Sequence, residues 1–514
     1  MSDQNSGWLN STTREKAVKI NVAVASISQP MMLIMSFITR AIFIKTLGNT
    51  YNGLNGLYSN LLSVLSFAEL GIGIAVASAM YVPVANQQYE LINTLLNFFR
   101  RVYRIIGLIV LIIGFGISFI LGNFIKGSIP NYAQIGFILY VFNAALSYWM
   151  VTSQTLLAAD QKNFVNTGIK FVCSLVFQCI QIFILLRYHN FLLYLIVQIV
   201  NTFSLNFIIT ILVRKNYPFI KGARLHSIPE KTKNALKHNI FGMMSAKFGG
   251  IVLSGSDNII LSAFVGLTLV GQYSNYMIII AGIVSLMNMI QGGITASVGH
   301  LGAQNDKHKE IEIFFQLFAG SSILTVAMSF GMALFFDTII RLWLGTGFIF
   351  DNLTTILLIM MFYTNQIRQI SISYITAYSL FWPLRYKSLI EAGVNLLISL
   401  VLVIKYQMGV NGVLIGTIIA NIGINIIWEG HIVQRLALSN STLRYFWSLS
   451  KVSLVTVVSV WFGINIQQIL NINNDLIKMI ALTGIYIVFM LIIILVFSFI
   501  IPESKNLYKR IIRN

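Results

Sequence analysis

Long apolar runs separated by short polar breaks set the pattern of this chain. A helix needs about 20 apolar residues to cross a hydrocarbon core. Runs of that order lie at 20–47, 53–84, 105–124, 132–157, 164–186, 191–213, 240–264, 269–298, 314–340, 350–378, 388–404, 409–432, 452–467 and 476–501. They predict an all-α polytopic membrane protein of about fourteen transmembrane helices. The runs 388–404 and 452–467 are short, so the expected count lies between twelve and fourteen. The first nineteen residues are polar. The run after them is too long for a signal-peptide core and lacks a small-residue cleavage site, so it reads as an uncleaved first span.

Polar residues inside the runs follow helical spacing. Gln29, Ser36 and Arg40 share one face of the first span, and Ser59, Ser63, Ser66, Glu69 and Gly73 form a stripe on the second. On the seventh, Lys247, Ser254, Asn258 and Ser262 make a stripe with Asp257 beside it. Lipid rejects such faces, so they turn toward protein or water. Two readings stand: contacts between helices, or the lining of a cavity. A charge at mid-bilayer costs at least about 2.5 kcal/mol, so Arg40, Glu69, Lys170, Lys247, Asp257, Arg368 and Glu391 need partners or water. Arg40 with Glu69, and Lys247 with Asp257, are candidate pairs. Lys170 and Arg368 read as single cations on apolar helices, either in a cavity or reaching for the inner interface. Asp337 and Glu391 sit near span ends, where the interface is within reach. Pro30 removes a hydrogen bond from the first span and marks a kink or hinge there.

Composition agrees with the pattern. Hydrophobic residues make up 56% and charged residues 10%, against roughly 25% charged in soluble domains. The net charge of +19 accompanies no nucleic-acid motif. Placing the N-terminus in the cytoplasm puts 25 Lys and Arg on inner segments and 6 on outer ones. This bias favours an even number of spans with both termini cytoplasmic. The longest inner linker, 214–239, divides the chain into an N-lobe, 1–213, and a C-lobe, 240–434, followed by two extra helices and a basic tail, 435–514. GLYSN at Gly56–Asn60 and GQYSN at Gly271–Asn275 stand at matching places in the two halves. That is the mark of a parallel repeat.

Several chemistries lack their residues. No Gly-rich phosphate loop with its lysine, HExxH, CxxC or nucleophile elbow is present. The six histidines lack ligand spacing, and Cys173 and Cys179 point to different faces of one apolar helix. The expectation is a transporter rather than an enzyme, with no cofactor and no metal.

The stretch TRAIFIKTLGNTYNGLNGLYSNLLSVLSFAELGIGIAVASAMYVPVANQ resembles the opening of bacterial polysaccharide repeat-unit flippases, the O-antigen and capsule flippases. These belong to the multidrug/oligosaccharidyl-lipid/polysaccharide exporter superfamily. Arg40, the Leu47–Gly48 turn, GLNGLY at Gly53–Tyr58 and AELGIG at Ala68–Gly73 carry the resemblance. LAADQ at Leu157–Gln161, Ser256–Asn258 and Gly271–Asn275 extend it across about residues 20–435. The resemblance implies two six-helix lobes in a V, with a cavity lined by the first, second, seventh and eighth helices. It implies alternating access and a substrate class, undecaprenyl-diphosphate-linked oligosaccharide moved from the inner to the outer leaflet of the bacterial cytoplasmic membrane. The expected partners are the polysaccharide polymerase and glycosyltransferases, with membrane lipid around a monomer and no nucleic acid.

On that expectation Arg40, Lys247, Arg368, Gln29, Ser36 and Asn258 line the substrate cavity. Glu69 and Asp257 pair with charge or bind a coupling ion. Guanidinium forks match phosphate oxygens, and outward movement of negative charge yields about 2.3 kcal/mol per charge per 100 mV without ATP. The rival readings are a cation-coupled multidrug antiporter of the same fold, a membrane glycan polymerase or glycosyltransferase, and an assembly scaffold. A drug antiporter needs an acidic or neutral pocket, and a polymerase a sizeable external loop. Arg40 with Lys247, and the short outer loops, argue against each.

Overall fold

The computed structural model describes residues 14–65, 86–126, 129–160, 162–220, 257–302, 307–378, 382–470 and 474–501, with residues 69, 80, 83, 84, 380 and 472. Among them the secondary structure is helical and no strand occurs. Eleven helices are long and apolar enough to cross a membrane.

The chain divides into two compact units, 1–271 and 272–514. The first contains α1 (Arg14–Leu47), α2 (Asn49–Leu65), α3 (Tyr89–Ile120), α4 (Ala133–Met150), α5 (Thr152–Ala159), α6 (Asn163–Tyr188), α7 (Phe191–Asn216) and α8 (257–264). Helix α9 (Leu267–Gly302) begins in it. Within this unit α1 lies on α6, α3 on α4, and α7 on α4 and α6. Lys126 closes the end of α8. Its backbone N–H donates to the Ser262 carbonyl at 2.8 Å and its Nζ to the Phe264 carbonyl at 2.8 Å, satisfying the last carbonyls of a helix with a cation.

The first turn of α9 is clamped to the first turns of α2. Asn49 Nδ2 donates to the Thr268 carbonyl at 2.7 Å and Asn52 Nδ2 to the Gly271 carbonyl at 2.9 Å. A Cβ on Gly53 would stand 1.8 Å from the Leu267 carbonyl oxygen, and one on Gly271 2.4 Å from the Asn49 carbonyl oxygen. Only glycine permits backbones this close, as at small-residue crossings in membranes. This gives a physical reason for Gly53 and Gly271 in the segments that carry the repeat. Both tyrosines of the repeated motif, Tyr58 and Tyr273, are buried.

The second unit holds the rest of α9, α10 (Lys307–Leu344), α11 (Asn352–Gln366), α12 (Gln369–Ala377), α13 (Lys387–Leu400), α14 (Gly409–Ala437), α15 (Thr442–Ile469) and α16 (Asp475–Ile500). Helix α10 is its axis, packed against α11, α15 and α16. Phe330 of α10 stacks on Phe489 with centroids 3.7 Å apart, and Gly463 of α15 lets Phe330 and Ala333 approach. Helix α14 lies on α13 and α11 and contains two π-helical turns, Asn421–Ile426 and Val433–Ala437.

Each expected run meets a helix. The short runs 388–404 and 452–467 extend to candidate spans Trp382–Lys405 and Thr442–Ile469. The run 350–378 breaks into α11 and α12 at Ile367 and Arg368. The run 53–84 starts on α2 and the run 240–264 ends on α8, with the remainder largely outside the described residues. Helix α1 continues through Pro30.

Candidate functional site

Arg40 lies half-buried on α1, two turns from the end of the helix. Its guanidinium is within electrostatic reach of the phenols of Tyr194 on α7 and Tyr140 on α4. Tyr140 Oη and Ser59 Oγ on α2 share a hydrogen bond of 2.8 Å. Four helices thus bring a cation and three hydroxyls to one region of the first unit. Tyr194 is held edge-on by Phe43 on the next turn of α1, with centroids 4.9 Å apart. The neighbouring Thr39 hydroxyl bonds to Gln178 on α6 at 3.4 Å, fixing the rotation of α1. Ser36 is half-buried and Gln29 is exposed.

The expected pairing of Arg40 with Glu69 is replaced by another arrangement. Tyr103 on α3 donates to Glu69 Oε1 at 2.6 Å, and the Tyr148 hydroxyl of α4 also bonds to the carboxylate. Two aromatic hydroxyls therefore satisfy the carboxylate where a guanidinium was expected. Lys247, with Ser66 and Ser254, lies outside the described residues. On α8, Asp257 Oδ1 and Asn258 Oδ1 are buried, with no hydrogen-bond partner among the described residues. Ser262 Oγ of the same helix bonds back to the Ile259 carbonyl at 3.0 Å. Lys170 is exposed on α6.

Arg368 corrects the reading of a single cation on an apolar helix. It stands at the break between α11 and α12 and grips Glu429 of α14 with a fork, Nε to Oε2 at 2.8 Å and Nη2 to Oε1 at 2.6 Å. Lys387 Nζ meets the same carboxylate at 2.5 Å. Glu391 lies 3.9 Å from Arg368 and 3.7 Å from Lys387. Asn421, on the first π-helical turn, accepts from Arg368 at 3.3 Å, and Asn425 one turn on bonds to both Glu391 and Asn421. Two cations and two anions make this cluster neutral, and Lys387, Glu391 and Glu429 are all buried. Glu391, expected to reach for an interface from its place near a span end, is instead buried and faces Arg368 and Lys387. Opposite charge was available closer at hand. Asp337 also stays within its unit, accepting from Gln467 of α15 at 3.2 Å.

The turn after α5, at Asp160, is tied down by its aspartate. Asp160 pairs with Lys162 at 2.6 Å and accepts from the Tyr217 hydroxyl at 2.5 Å. Burial and the Asp160 charge push the Tyr217 phenol above its ordinary value, so it remains a donor.

No family model and no curated protein matches the sequence. Solved structures do match. The lipid II flippase MurJ in an inward closed conformation superposes with a TM-score of 0.62 at 15% identity, over 92% of this chain and 98% of that one. An inward-facing multidrug resistance MATE family transporter of the MOP superfamily gives 0.58 at 12% identity, over 80% of this chain and 96% of that one. The chain has the fold of the MOP-superfamily transporters. A mutant of the Vibrio cholerae MATE transporter VcmN shares that fold as well, with a TM-score of 0.55 at 14% identity over 82% and 99%. With eleven membrane-length helices among the described residues and this fold, the protein is a multi-pass membrane protein.

Sequence reasoning missed Tyr140, Tyr194, Tyr103 and Glu429 in this MOP fold. Aromatic residues read as apolar in a hydropathy scan, although a phenol carries a hydroxyl that seeks a partner when buried. Glu429 sits at the polar end of its run. The one signal was its charge within a turn of apolar residues, IIWEGHI.

Proposed function

We propose that this protein is a flippase that moves undecaprenyl-diphosphate-linked oligosaccharide repeat units from the inner to the outer leaflet for assembly of a surface polysaccharide. The observation that carries the reading is Arg40 on α1, a cation set among the hydroxyls of Tyr140, Tyr194 and Ser59. A guanidinium replaces water around a diphosphate with forked hydrogen bonds. Phenols and a serine hydroxyl suit sugar hydroxyls, which donate and accept. Ser36, Gln29 and Lys247 belong to the same proposed site, with Asn258 as a further amide. Arg368 leaves it, because Glu429 already holds its fork.

Asp257 is the proposed place for a coupling cation, a proton or sodium, since its buried oxygen lacks a partner among the described residues. Pro30 is the proposed flexing point of α1. The lipid II flippase MurJ supports the reading by matching more of the chain than the MATE family transporter does, 92% against 80%. The lobe roles, the cytoplasmic termini and the monomeric state belong to the same proposal.

The test is made in a bacterial strain deleted for this protein. Arg40→Ala and Arg40→Lys are expressed at matched levels, and surface glycan is measured. The reading expects loss in Arg40→Ala, partial retention in Arg40→Lys, and lipid-linked glycan accumulating on the inner face. Full surface glycan in Arg40→Ala removes Arg40 from the mechanism. Drug resistance conferred by the protein, with no glycan defect, points to an antiporter instead.

A further inference from the structure

A second cationic site lies in the first unit, at the end of the helix bundle where the 214–239 linker begins. A cavity of about 200 Å³ opens among α3, α4, α5 and α7. Arg100 and Arg104 of α3 and Arg214 of α7 all line it, with Trp149 on one wall and the hydroxyls of Ser153 and Thr210 on another. The Arg100 guanidinium is within repelling range of both Arg104 and Arg214. None of the three forms an ion pair with a carboxylate among the described residues. Arg100 is half-buried, whereas Arg104 and Arg214 are exposed at the rim.

Arginines that only set topology gain nothing by converging, because like charges repel less when spread around the rim. Arg101 shows the alternative: it is exposed on the same turn and does not line the cavity. The wall is shaped as well as charged. Gly107 lets the Trp149 indole lie against α3, where a Cβ would come 2.4 Å from Nε1, and Nε1 donates to the Arg104 carbonyl at 3.3 Å. Ser153 Oγ bonds to Thr210 Oγ1 at 3.3 Å, so two hydroxyls stand together beside the guanidiniums. Tryptophan at a membrane–water interface faces head groups.

We infer that this cavity binds a phosphate group, held by the forks of Arg100, Arg104 and Arg214 and by the hydroxyl pair, with Trp149 packing against the rest of the molecule. The chemistry is shared by the head group of an anionic phospholipid and by a soluble phosphate or diphosphate. The site is separate from Arg40 and does not depend on what the protein transports.

The test uses the full-length protein purified in a neutral detergent and native mass spectrometry. Phosphatidylglycerol, phosphatidylcholine and inorganic pyrophosphate are titrated separately. The expected result is binding of phosphatidylglycerol over phosphatidylcholine, weakened at least about tenfold in Arg100→Gln/Arg214→Gln, since each lost charged hydrogen bond is worth roughly that factor. Arg101→Gln, which removes the same kind of charge one residue away, is expected to stay within about twofold. Pyrophosphate binding with the same arginine dependence, in place of phosphatidylglycerol, upholds the site and assigns it to a soluble anion. Equal losses in Arg101→Gln and the double variant, or binding of neither probe, overturn the inference. If the double variant does not accumulate, Arg104→Gln at the exposed rim serves in its place, and unchanged binding there overturns it equally.

Discussion

Replacing Glu429 by glutamine takes one negative charge from a place where two cations share it. In the wild type, Arg368 approaches Glu429 at 2.6 and 2.8 Å and Lys387 at 2.5 Å. The side chains of Arg368, Lys387 and Glu429 are 12%, 9% and 3% exposed, so water screens little of the loss. Removing one partner of a buried pair costs about 3–5 kcal/mol. Glu391 remains 3.9 Å from Arg368 and 3.7 Å from Lys387, which places the expected cost near the lower end, about 3 kcal/mol. The assay is thermal unfolding of purified protein followed by size exclusion, where such a loss lowers the midpoint of a chain this long by about 3 °C. Adding Lys387→Met restores neutrality, leaving Arg368 with Glu391, and is expected to recover more than half of the drop. A Glu429→Gln midpoint within about 1 °C of wild type, or no recovery on adding Lys387→Met, refutes the argument that charge balance holds α12, α13 and α14 together.

Two further outcomes follow from the packing. Gly53→Ala and Gly271→Ala each drive a methyl into backbone, 1.8 and 2.4 Å from carbonyl oxygens, and are expected to cost at least about 3 kcal/mol and most of the protein at the membrane. Gly168→Ala, with nothing within 4 Å, is expected to leave immunoblot levels unchanged, and equal losses at all three positions contradict the close-approach reading. The Asp160–Tyr217 bond has a pH signature. Because the folded phenol titrates above its ordinary value, its contribution is intact below the unfolded value of about 10 and is lost as pH rises beyond it. Unfolding midpoints should therefore show no contribution from this bond changing between pH 6 and pH 9, and a difference between wild type and Tyr217→Phe that shrinks only at higher pH. A difference that vanishes near neutrality rules the bond out as the cause.

The spans were legible because hydrocarbon imposes one rule on every residue of a lipid-facing helix. What hydropathy does not encode is where a span breaks. Residues 350–378 read as one run, yet α11 stops at Gln366 and Arg368 turns out of the break to meet a glutamate 61 positions later. Pairing across that distance leaves no spacing to detect. Lys387 meets Glu391 four residues on, a spacing open to the sequence, but its shorter contact is with Glu429, 42 residues away. Arg40 was found because an isolated cation within apolar sequence is costly wherever it lies. Its tyrosine neighbours were not, because they arrive from α4 and α7 and register as apolar in a window average.

The most direct measurement is leaflet-to-leaflet movement of a polyprenyl-diphosphate-linked oligosaccharide in vesicles containing only the purified protein, with no ATP and an imposed potential. The account expects flipping that exceeds empty vesicles, falls at least about tenfold in Arg40→Ala, and persists in part in Arg40→Lys. Flipping no faster than in empty vesicles, or equal rates in the wild type and Arg40→Ala, contradicts it.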